Sequence, residues 1–187
     1  MGYKGHLRSG EDVGSFTMKN ELSVAIRAPR MEDLDQFLKF INGLVEEDTY
    51  IYSNRTFDRD QEAEWLSNQL LLLEKGELLH LIAVVKGSIV GSLYVLRQGE
   101  KEAHVGSLGI GVVKGYRGLG IGGSLMKAAF KISKRMGMRS LLIETFSINK
   151  KVISLYSSLG FKKVGLIKEK AYHKKRYLDV LIMQKNL

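Results

Sequence analysis

The stretch from Val112 to Gly123 has the residue types and spacing of an anion-binding loop. Its glycines allow a tight turn and let backbone approach a ligand closely. A helix is predicted to begin within it and to run to about Met136, so that backbone N–H groups without intrahelical partners lie at the positive end of the helix dipole. Arg117 adds a fixed positive charge just before the glycines. Such a combination most often binds phosphate.

Three kinds of phosphate loop have glycine spacings close to this one. A Walker loop fails, because Ile121-Gly122 follows the second glycine where Lys-Ser/Thr is required. Residues 118–123 match the dinucleotide fingerprint G-x-G-x-x-G, and Glu144 lies about where a ribose-binding acid is expected. A third pattern, Arg-x-x-Gly-x-Gly, begins at Arg117. The glycines alone do not choose between the last two patterns.

Upstream of the loop, the chain begins with a strand and two helices. Ser23 to Arg27 alternates and predicts a first strand, and the apolar stripe from Leu34 to Val45 predicts a first helix. Asp58 has the spacing of a capping box for a second helix, which is predicted to end at Gly76. Trp65 belongs to the apolar stripe of that helix, and we interpret it as a core residue.

Three antiparallel strands are predicted directly before the loop. Leu78 to Val85 and Ile89 to Leu96 flank a short glycine turn and predict a hairpin, and Ala103 to Val112 predicts the next strand. Glycines at positions 106, 109 and 111 predict a bulge in that strand, or another backbone segment close to it.

Downstream of the loop, Ser140 to Phe146 predicts a strand that completes one βαβ crossover. A short helix from Asn149 to Leu159 follows, and then a last hairpin, in which Phe161 to Ile167 and Tyr177 to Met183 are joined by a basic turn around residues 172–175. A dinucleotide domain would instead continue to alternate strands and helices. The order of elements therefore predicts an α+β fold with a mixed, mostly antiparallel sheet of about seven strands and about four helices.

The composition is that of an ordinary globular domain. The chain has 187 residues, 44% of them hydrophobic and 26% charged, and we expect one domain over residues 22–187. Residues 1–21 lack periodicity and are expected to be a flexible or loosely docked extension, with Met18 as an alternative start to Met1. There is no cysteine, no apolar run of membrane-spanning length and no histidine spacing typical of a metal site. We expect a cytoplasmic protein without membrane contact.

Charge is distributed unevenly along the chain. Residues 1–100 carry a net charge of −5 and residues 101–187 a net charge of +14. The basic half contains the phosphate loop, so its field suits a polyanionic cofactor. Contact with nucleic acid or the ribosome is an alternative use of the same charge, which we rank second because the loop is the more specific feature.

The loop and one further segment together resemble the GNAT superfamily of N-acetyltransferases, over about residues 23–185. The second segment, Asn149 to Phe161, is similar to the family's Asn-x-x-Ala-x-x-Leu-Tyr-x-x-x-Gly-Phe, with Val152 where alanine is usual. Near the end of the chain, Tyr177-Leu178-Asp179 with Met183 is similar to the ending common in the amino-acid and ribosomal-protein acetyltransferase branches of the family. The resemblance implies splayed middle strands in the sheet and acetyl-CoA as the acetyl donor.

The resemblance also implies where acetyl-CoA binds. Its pyrophosphate would lie on the loop, and its pantetheine arm between the strands that end near Val112 and Phe146. The Val112 N–H would polarise the thioester carbonyl. The implied coenzyme A contacts are Val112, Val113, Arg117, Gly118, Leu119, Gly120, Ile121, Gly122, Asn149 and Tyr156.

Two residues are implied as catalytic. In the ribosomal-protein branch a Glu and a Tyr twelve residues apart serve as base and acid, and Glu144 and Tyr156 have this spacing. Glu144 as a solvent-facing strand residue, with water as the base, stays open. Without cysteine or a G-x-S-x-G elbow, a covalent acyl-enzyme is not expected, and direct transfer in a ternary complex is preferred.

The acceptor is predicted to be a primary amine, on an amino acid, a polyamine, a protein N-terminus or a lysine. An acidic and aromatic segment between the first two helices would attract a cation by charge and cation–π contact. A solvated charge run is the alternative interpretation. For the function as a whole, a nucleotide-binding oxidoreductase is the remaining alternative, and a homodimer is an alternative for the oligomeric state. The acceptor-site candidates are Glu46, Glu47, Asp48, Tyr50 and Tyr52.

Overall fold

The computed structural model describes residues 5–18, 21–48, 51 and 53–187. These residues form eight β-strands and four α-helices. The strands are β1 (Asp12–Thr17), β2 (Ser23–Arg27), β3 (Leu78–Val85), β4 (Ser88–Arg97), β5 (Val105–Val112), β6 (Ser140–Phe146), β7 (Lys162–His173) and β8 (Arg176–Asn186), and the helices are α1 (Leu34–Glu46), α2 (Arg59–Lys75), α3 (Ile121–Arg135) and α4 (Lys150–Ser158).

One sheet contains the eight strands, in the order β1-β2-β3-β4-β5-β6-β8-β7. β5 and β6 are parallel and connected by α3, and the other neighbouring strands are antiparallel. The predicted mixed sheet with one βαβ crossover is confirmed. The doubly wound sheet of a dinucleotide domain, on which the oxidoreductase alternative depended, is excluded.

β5 and β6 are paired only over their first halves. The last paired residues are Leu108 and Ile143, although β5 continues to Val112 and β6 to Phe146. The carboxyl ends of the two strands therefore diverge, which confirms the predicted splay in the middle of the sheet.

The predicted bulge in β5 is wrong. β5 pairs with β4 without a register shift from Gly106 to Val112. The strand needs glycine because neighbouring side chains lie against it: a Cβ added at Gly109 would lie 2.4 Å from the ring of Tyr94 on β4, and one added at Gly111 would lie 2.9 Å from Leu44 Cδ1 on α1. The other prediction for these glycines was that a second backbone segment lies close to the strand. The groups that lie close are side chains instead.

Hydrophobic side chains cover both faces of the sheet. Leu79 and Leu81 of β3 belong to the larger core, which includes the buried face of α3, and Ile82 belongs to a second core with α1 and α2. Because successive strand residues face opposite sides, α3 and the α1–α2 pair lie on opposite faces. Burial on both faces explains why β3 is apolar in the sequence at every position except His80.

β1 is the strand that sequence patterning did not predict. It pairs antiparallel with β2 at the edge of the sheet, and its side chains are exposed or half-buried. An edge strand of this kind is held by backbone hydrogen bonds, so it does not need alternating apolar residues. Leu7 and Met18 lie on either side of β1 in the chain and are buried in the larger core.

The last hairpin is longer than predicted. β7 and β8 pair as far as His173 and Arg176, so that Lys174 and Lys175 alone form the turn. Both turn residues have positive φ angles, 50° and 60°, which suit the tight twist of a two-residue hairpin. The basic turn predicted around residues 172–175 is confirmed in position, but it is shorter than predicted, because His173 and Arg176 still pair.

α2 begins and ends where its local signals predicted. The Asp58 carboxylate accepts a hydrogen bond from the Gln61 N–H at 2.9 Å, and Gly76 ends the helix with a φ of 72°. Over the described ranges, no helix is long and apolar enough to cross a membrane.

Candidate active site

A cleft of about 940 Å³ opens where β5 and β6 diverge. Its floor includes Leu108 to Gly111 of β5 and Ile143 to Thr145 of β6, and α1 and α2 provide the opposite wall. Three of the predicted site residues border it together: Glu144, Asn149 and Tyr156. The structure therefore brings the proposed catalytic pair and the predicted pantetheine contact into one space.

The phosphate-loop candidate lies at one end of this cleft. Gly120 is the N-cap of α3 with a φ of 94°, and Gly118 has a φ of 78°, conformations that disfavour any residue with a side chain. No side chain caps the helix, so its first N–H groups are open to a ligand. Ile121 is buried and fixes the helix start to the core. A Cβ at Gly122 would lie 3.7 Å from Ile110 Cδ1, so the helix start lies against β5.

Arg117 is held by the protein's own groups. Its Nε donates to the Val112 carbonyl oxygen at 2.7 Å, and its Nη2 donates to Glu47 Oε2 at 2.5 Å. The other oxygen of Glu47 accepts a hydrogen bond from the Lys114 N–H at 3.1 Å. Glu47, a predicted acceptor-site residue, therefore connects the end of α1 to the phosphate-loop candidate.

The backbone N–H of Val112 is directed toward the divergence of the strands. The next residue, Val113, donates its N–H to the Val90 carbonyl oxygen of β4 at 3.1 Å. Hydrogen-bonding groups alternate sides along a strand, so those of Val112 point away from β4. The Val112 carbonyl oxygen also points away from β4, where it accepts the hydrogen bond from Arg117 Nε. This is the orientation that the predicted oxyanion role requires.

Glu144 is half-buried on β6 and ion-paired. Both of its carboxylate oxygens lie 2.6 Å from Nζ of Lys170 on β7, and each of the two side chains is 34% exposed. The carboxylate is therefore accessible from the cleft but already has a cationic partner. Sequence reasoning did not identify Lys170.

Tyr156 and Asn149 come from α4 and the turn before it. Tyr156 is 5% exposed, and burial raises the pKa of its hydroxyl above the ordinary value, so that it stays protonated at neutral pH. Asn149 is the N-cap of α4, and its side-chain oxygen accepts the Val152 N–H at 3.4 Å. Its amide also borders the cleft, so the capping role does not exclude a contact with a ligand.

The acidic segment after α1 is largely occupied by the chain's own cations. Asp48 Oδ2 lies 2.6 Å from Lys174 Nζ, and this hydrogen bond holds the pKa of Asp48 below its usual range. His173 Nε2 lies 3.6 Å from the other oxygen of Asp48. Glu46 is exposed and does not border the cleft. Tyr50 and Tyr52 lie outside the described residues.

Glu62 on α2 is a site candidate that the sequence reasoning missed. It borders the cleft and is only 4% exposed. Burial raises its pKa from 4.5 to about 7. A signal was available: Glu62 lies one turn before Leu66 and eleven residues before Leu73, so an acidic residue occupies the apolar stripe of the helix.

Three aromatic side chains also border the cleft, and one of them, Trp65, lies about one helical turn after Glu62 on α2. Trp65, interpreted as a core residue, is 38% exposed and borders the cleft, as does Tyr94, which is 41% exposed. Phe37 borders the cleft too, with its ring centroid 5.6 Å from that of Trp65. We call Phe37, Trp65 and Tyr94 the aromatic wall.

Comparison with known proteins gives the same family as the loop and the α4 segment. Residues 39–161 match the model of the acetyltransferase (GNAT) family. An N-alpha-acetyltransferase from Sulfurisphaera tokodaii is 31% identical over 157 residues, which cover 76% of this chain and 83% of the relative.

Solved structures agree with this assignment. A ribosomal-protein-alanine N-acetyltransferase from Brucella melitensis is 28% identical with a TM-score of 0.77, covering 87% of this chain and 99% of that one. The putative acetyltransferase yncA from Salmonella typhimurium, solved with acetyl-CoA, has a TM-score of 0.77 over 88% of this chain and 94% of that one; at 22% identity it supports the fold alone. The family match spans both the phosphate-loop candidate and the α4 segment, and this chain therefore belongs to the acetyltransferase (GNAT) family and is an N-acetyltransferase.

Proposed function

We propose that this enzyme transfers the acetyl group of acetyl-CoA to a primary amine, by direct attack of the amine in a ternary complex. The observation that carries the proposal is that the uncapped start of α3 adjoins the point where β5 and β6 diverge. An anionic group on the helix start would leave the rest of an extended donor facing the open strands. Membership of the acetyltransferase (GNAT) family supports this choice of donor.

The residues around the helix start fit a diphosphate. Their N–H groups have no side-chain cap, and the positive φ of Gly120 turns the backbone so that no Cβ covers them. The pantetheine arm would lie along the unpaired half of β5, within reach of Asn149. The complete proposed donor site is Val112, Val113, Arg117, Gly118, Leu119, Gly120, Ile121, Gly122, Asn149 and Tyr156.

Bound acetyl-CoA supplies an acetyl thioester to the cleft. The Val112 N–H is proposed to donate to the carbonyl oxygen as negative charge develops there. Tyr156 donates its proton to the leaving sulfur, a role for which a hydroxyl kept protonated by burial is suited. Glu144 takes the proton that the ammonium group must lose before its nitrogen attacks, which requires Lys170 to leave one of the Glu144 oxygens. The second proton lost by the nitrogen, after attack, replaces the one that Tyr156 donates to the sulfur.

For the acceptor we favour the α-amine of a peptide or protein N-terminus over an amino acid, a polyamine or a lysine side chain. The names of the relatives carry this preference: one is an N-alpha-acetyltransferase and the other a ribosomal-protein-alanine N-acetyltransferase. A mass-spectrometric screen with acetyl-CoA tests it directly. The panel contains short peptides with different first residues, the free amino acids, and spermidine; acetylation of spermidine alone would contradict the preference.

The donor site is tested most cleanly at Gly122. This second residue of α3 lacks a positive φ, and a Cβ there makes an ordinary contact, so Gly122→Asp should fold. An acidic residue in the first turn stabilises a helix by ~0.3–1 kcal/mol. The same charge would repel a diphosphate, with a Coulomb energy of about 1–4 kcal/mol at 4 Å.

We therefore expect Gly122→Asp to keep its melting temperature and to bind acetyl-CoA more weakly by about 1–4 kcal/mol in calorimetry. Gly122→Asn is the control, because it adds a side chain of the same size without the charge. If the Asp and Asn variants bind acetyl-CoA equally well, the diphosphate does not lie at this helix start.

A further inference from the structure

The carboxylates that the sequence offered for the acceptor have partners inside the protein. Glu47 contacts Arg117 and the Lys114 N–H, and Asp48 contacts Lys174 and His173. An incoming ammonium group would have to displace these cations before it could bind. An acidic residue without an internal partner is therefore a better candidate than Glu47 or Asp48 for binding the ammonium group of the acceptor.

Glu62 is such an acid. Across the described part of the chain, no hydrogen bond or ion pair joins its carboxylate to another group, and desolvation is the one cause of its altered proton affinity. The side chain is 96% removed from solvent, and it borders the cleft. A carboxylate buried without a partner is costly, and a cationic ligand would remove that cost.

The surroundings of Glu62 suit a cation attached to an apolar group. Trp65 and Tyr94 of the aromatic wall are part-exposed toward the cleft, and ring faces attract ammonium groups. Beneath the wall, His80 is wholly buried, with its Nε2 2.9 Å from Ser92 Oγ. Burial lowers the pKa of His80 to about 3, so it adds no positive charge that would repel an ammonium.

The remaining charged groups of the cleft are more exposed or already engaged. Arg55 borders the cleft, but it is exposed, with its guanidinium carbon 6.0 Å from the ring centroid of Phe57. Glu64 borders the cleft and is exposed. Glu144 is paired with Lys170. On the neighbouring α1, Asp35 is paired with Arg59.

We propose that Glu62 and the aromatic wall form the acceptor subsite, which binds a protonated primary amine whose neighbouring group is apolar, such as a peptide N-terminus with a hydrophobic first residue. This inference rests on the proposed function, since it names the acceptor of that reaction. Glu62 is assigned a binding role: its carboxylate receives the ammonium group, and Glu144 remains the proton acceptor.

The test measures binding directly, apart from turnover. The probe is the dipeptide amide Phe-Ala-NH₂, titrated by calorimetry into the enzyme with coenzyme A bound, and its N-acetylated form is the neutral comparison. We expect the free amine to bind at least about tenfold more tightly than the N-acetylated form, because a charge-assisted hydrogen bond is lost in the latter. Gly-Ala-NH₂ should bind more weakly than Phe-Ala-NH₂ because it lacks the apolar first side chain.

Glu62→Gln removes the charge and keeps the shape of the side chain. It should weaken binding of Phe-Ala-NH₂ at least about tenfold, raise the acceptor KM and leave the acceptor kcat and the acetyl-CoA affinity within about threefold. Glu64→Gln is the matched control: it removes an exposed charge from the same helix and the same cleft, and it should leave peptide binding unchanged.

Three results would overturn the subsite. The first is a wild-type enzyme that binds the free amine no better than its N-acetylated form. The second is an equal loss of binding in Glu62→Gln and Glu64→Gln. The third is a fall in kcat with an unchanged KM in Glu62→Gln, which would make Glu62 a proton acceptor. Failure of the proposed function is distinct: wild type would then bind no acetyl-CoA, or would acetylate no amine in the screen.

Discussion

Replacing Glu62 by glutamine should change how the free energy of unfolding depends on pH, without any ligand present. Wild type buries a carboxyl group that has no partner among the described residues. Glutamine has nearly the same shape but cannot ionise. The comparison therefore isolates the cost of ionising this group inside the fold.

The size of the effect follows from the pKa. The carboxyl titrates near 4.5 in the unfolded chain and near 7 in the folded protein. Between these values the folded state holds a proton that the unfolded state has released, so wild-type stability falls as pH rises. One pKa unit is worth about 1.36 kcal/mol, so wild type should lose about 3 kcal/mol relative to Glu62→Gln between pH 4.5 and pH 8.

Urea unfolding of both proteins at several pH values measures this difference. The buried amide of Glu62→Gln can add a constant offset of ~1–3 kcal/mol, so the diagnostic quantity is the change in the difference with pH and not its absolute value. Neighbouring groups do not titrate in this range: burial lowers the pKa of His80 to about 3 and raises the pKa values of Tyr94 and Tyr156. Glu64→Gln is the control and should follow wild type.

Parallel profiles for wild type and Glu62→Gln would refute the reasoning. They would mean that the carboxylate is solvated in solution as well as it is in the unfolded chain. The acceptor subsite would then lose the desolvated charge on which it depends.

Outcomes for four further substitutions follow from the contacts of the site. Tyr156→Phe should lower turnover by ~10²-fold or more while the calorimetric affinity for acetyl-CoA stays within about threefold, and Glu144→Gln should lower turnover by ~10²–10⁴-fold; near-wild-type rates for both would assign the protons to water. Arg117→Ala should weaken acetyl-CoA binding by ~1–3 kcal/mol, the value of one charge-assisted contact, and an unchanged calorimetric affinity would limit Arg117 to a structural role. Glu47→Gln should change acetyl-CoA affinity but not the acceptor KM, because its carboxylate contacts Arg117 and the Lys114 N–H; an altered acceptor KM alone would return Glu47 to the acceptor site.

Local patterns were enough to predict most of the elements. β3 is an apolar run because both of its faces are buried, and α2 carries its capping box at Asp58 and its terminating glycine at Gly76. β1 could not be predicted this way, since its stability comes from backbone pairing with β2 and its side chains face largely outward. A turn around residues 172–175 was predicted, but its two-residue form was not, because positive φ angles at Lys174 and Lys175 have no signature in the sequence.

The parts of the site that could be predicted are those formed by a single contiguous segment of sequence. The glycine loop and the start of α3 are contiguous, so spacing alone indicated an anion site. Ion pairs between distant segments have no such signal. Glu47 meets Arg117 across 70 positions of sequence, and Lys170 meets Glu144 across 26. Which acids remain available to a ligand depends on these pairings.

Charge in the sequence and charge available to a substrate are therefore different quantities in this enzyme. The acidic segment after α1 has high charge density, but the charges of Glu47 and Asp48 are offset by cations from the loop and from the β7–β8 turn. A paired carboxylate near the surface attracts a further cation weakly, because its field is already compensated and is screened by solvent and salt. Glu62 stands alone on an otherwise apolar stripe, where burial reduces screening by solvent and salt, and an ammonium group bound beside it would favour its ionised form. The strongest attraction for an ammonium group is therefore expected at Glu62, the buried acid of the cleft wall that lacks a partner among the described residues, and not where acidic residues are most numerous.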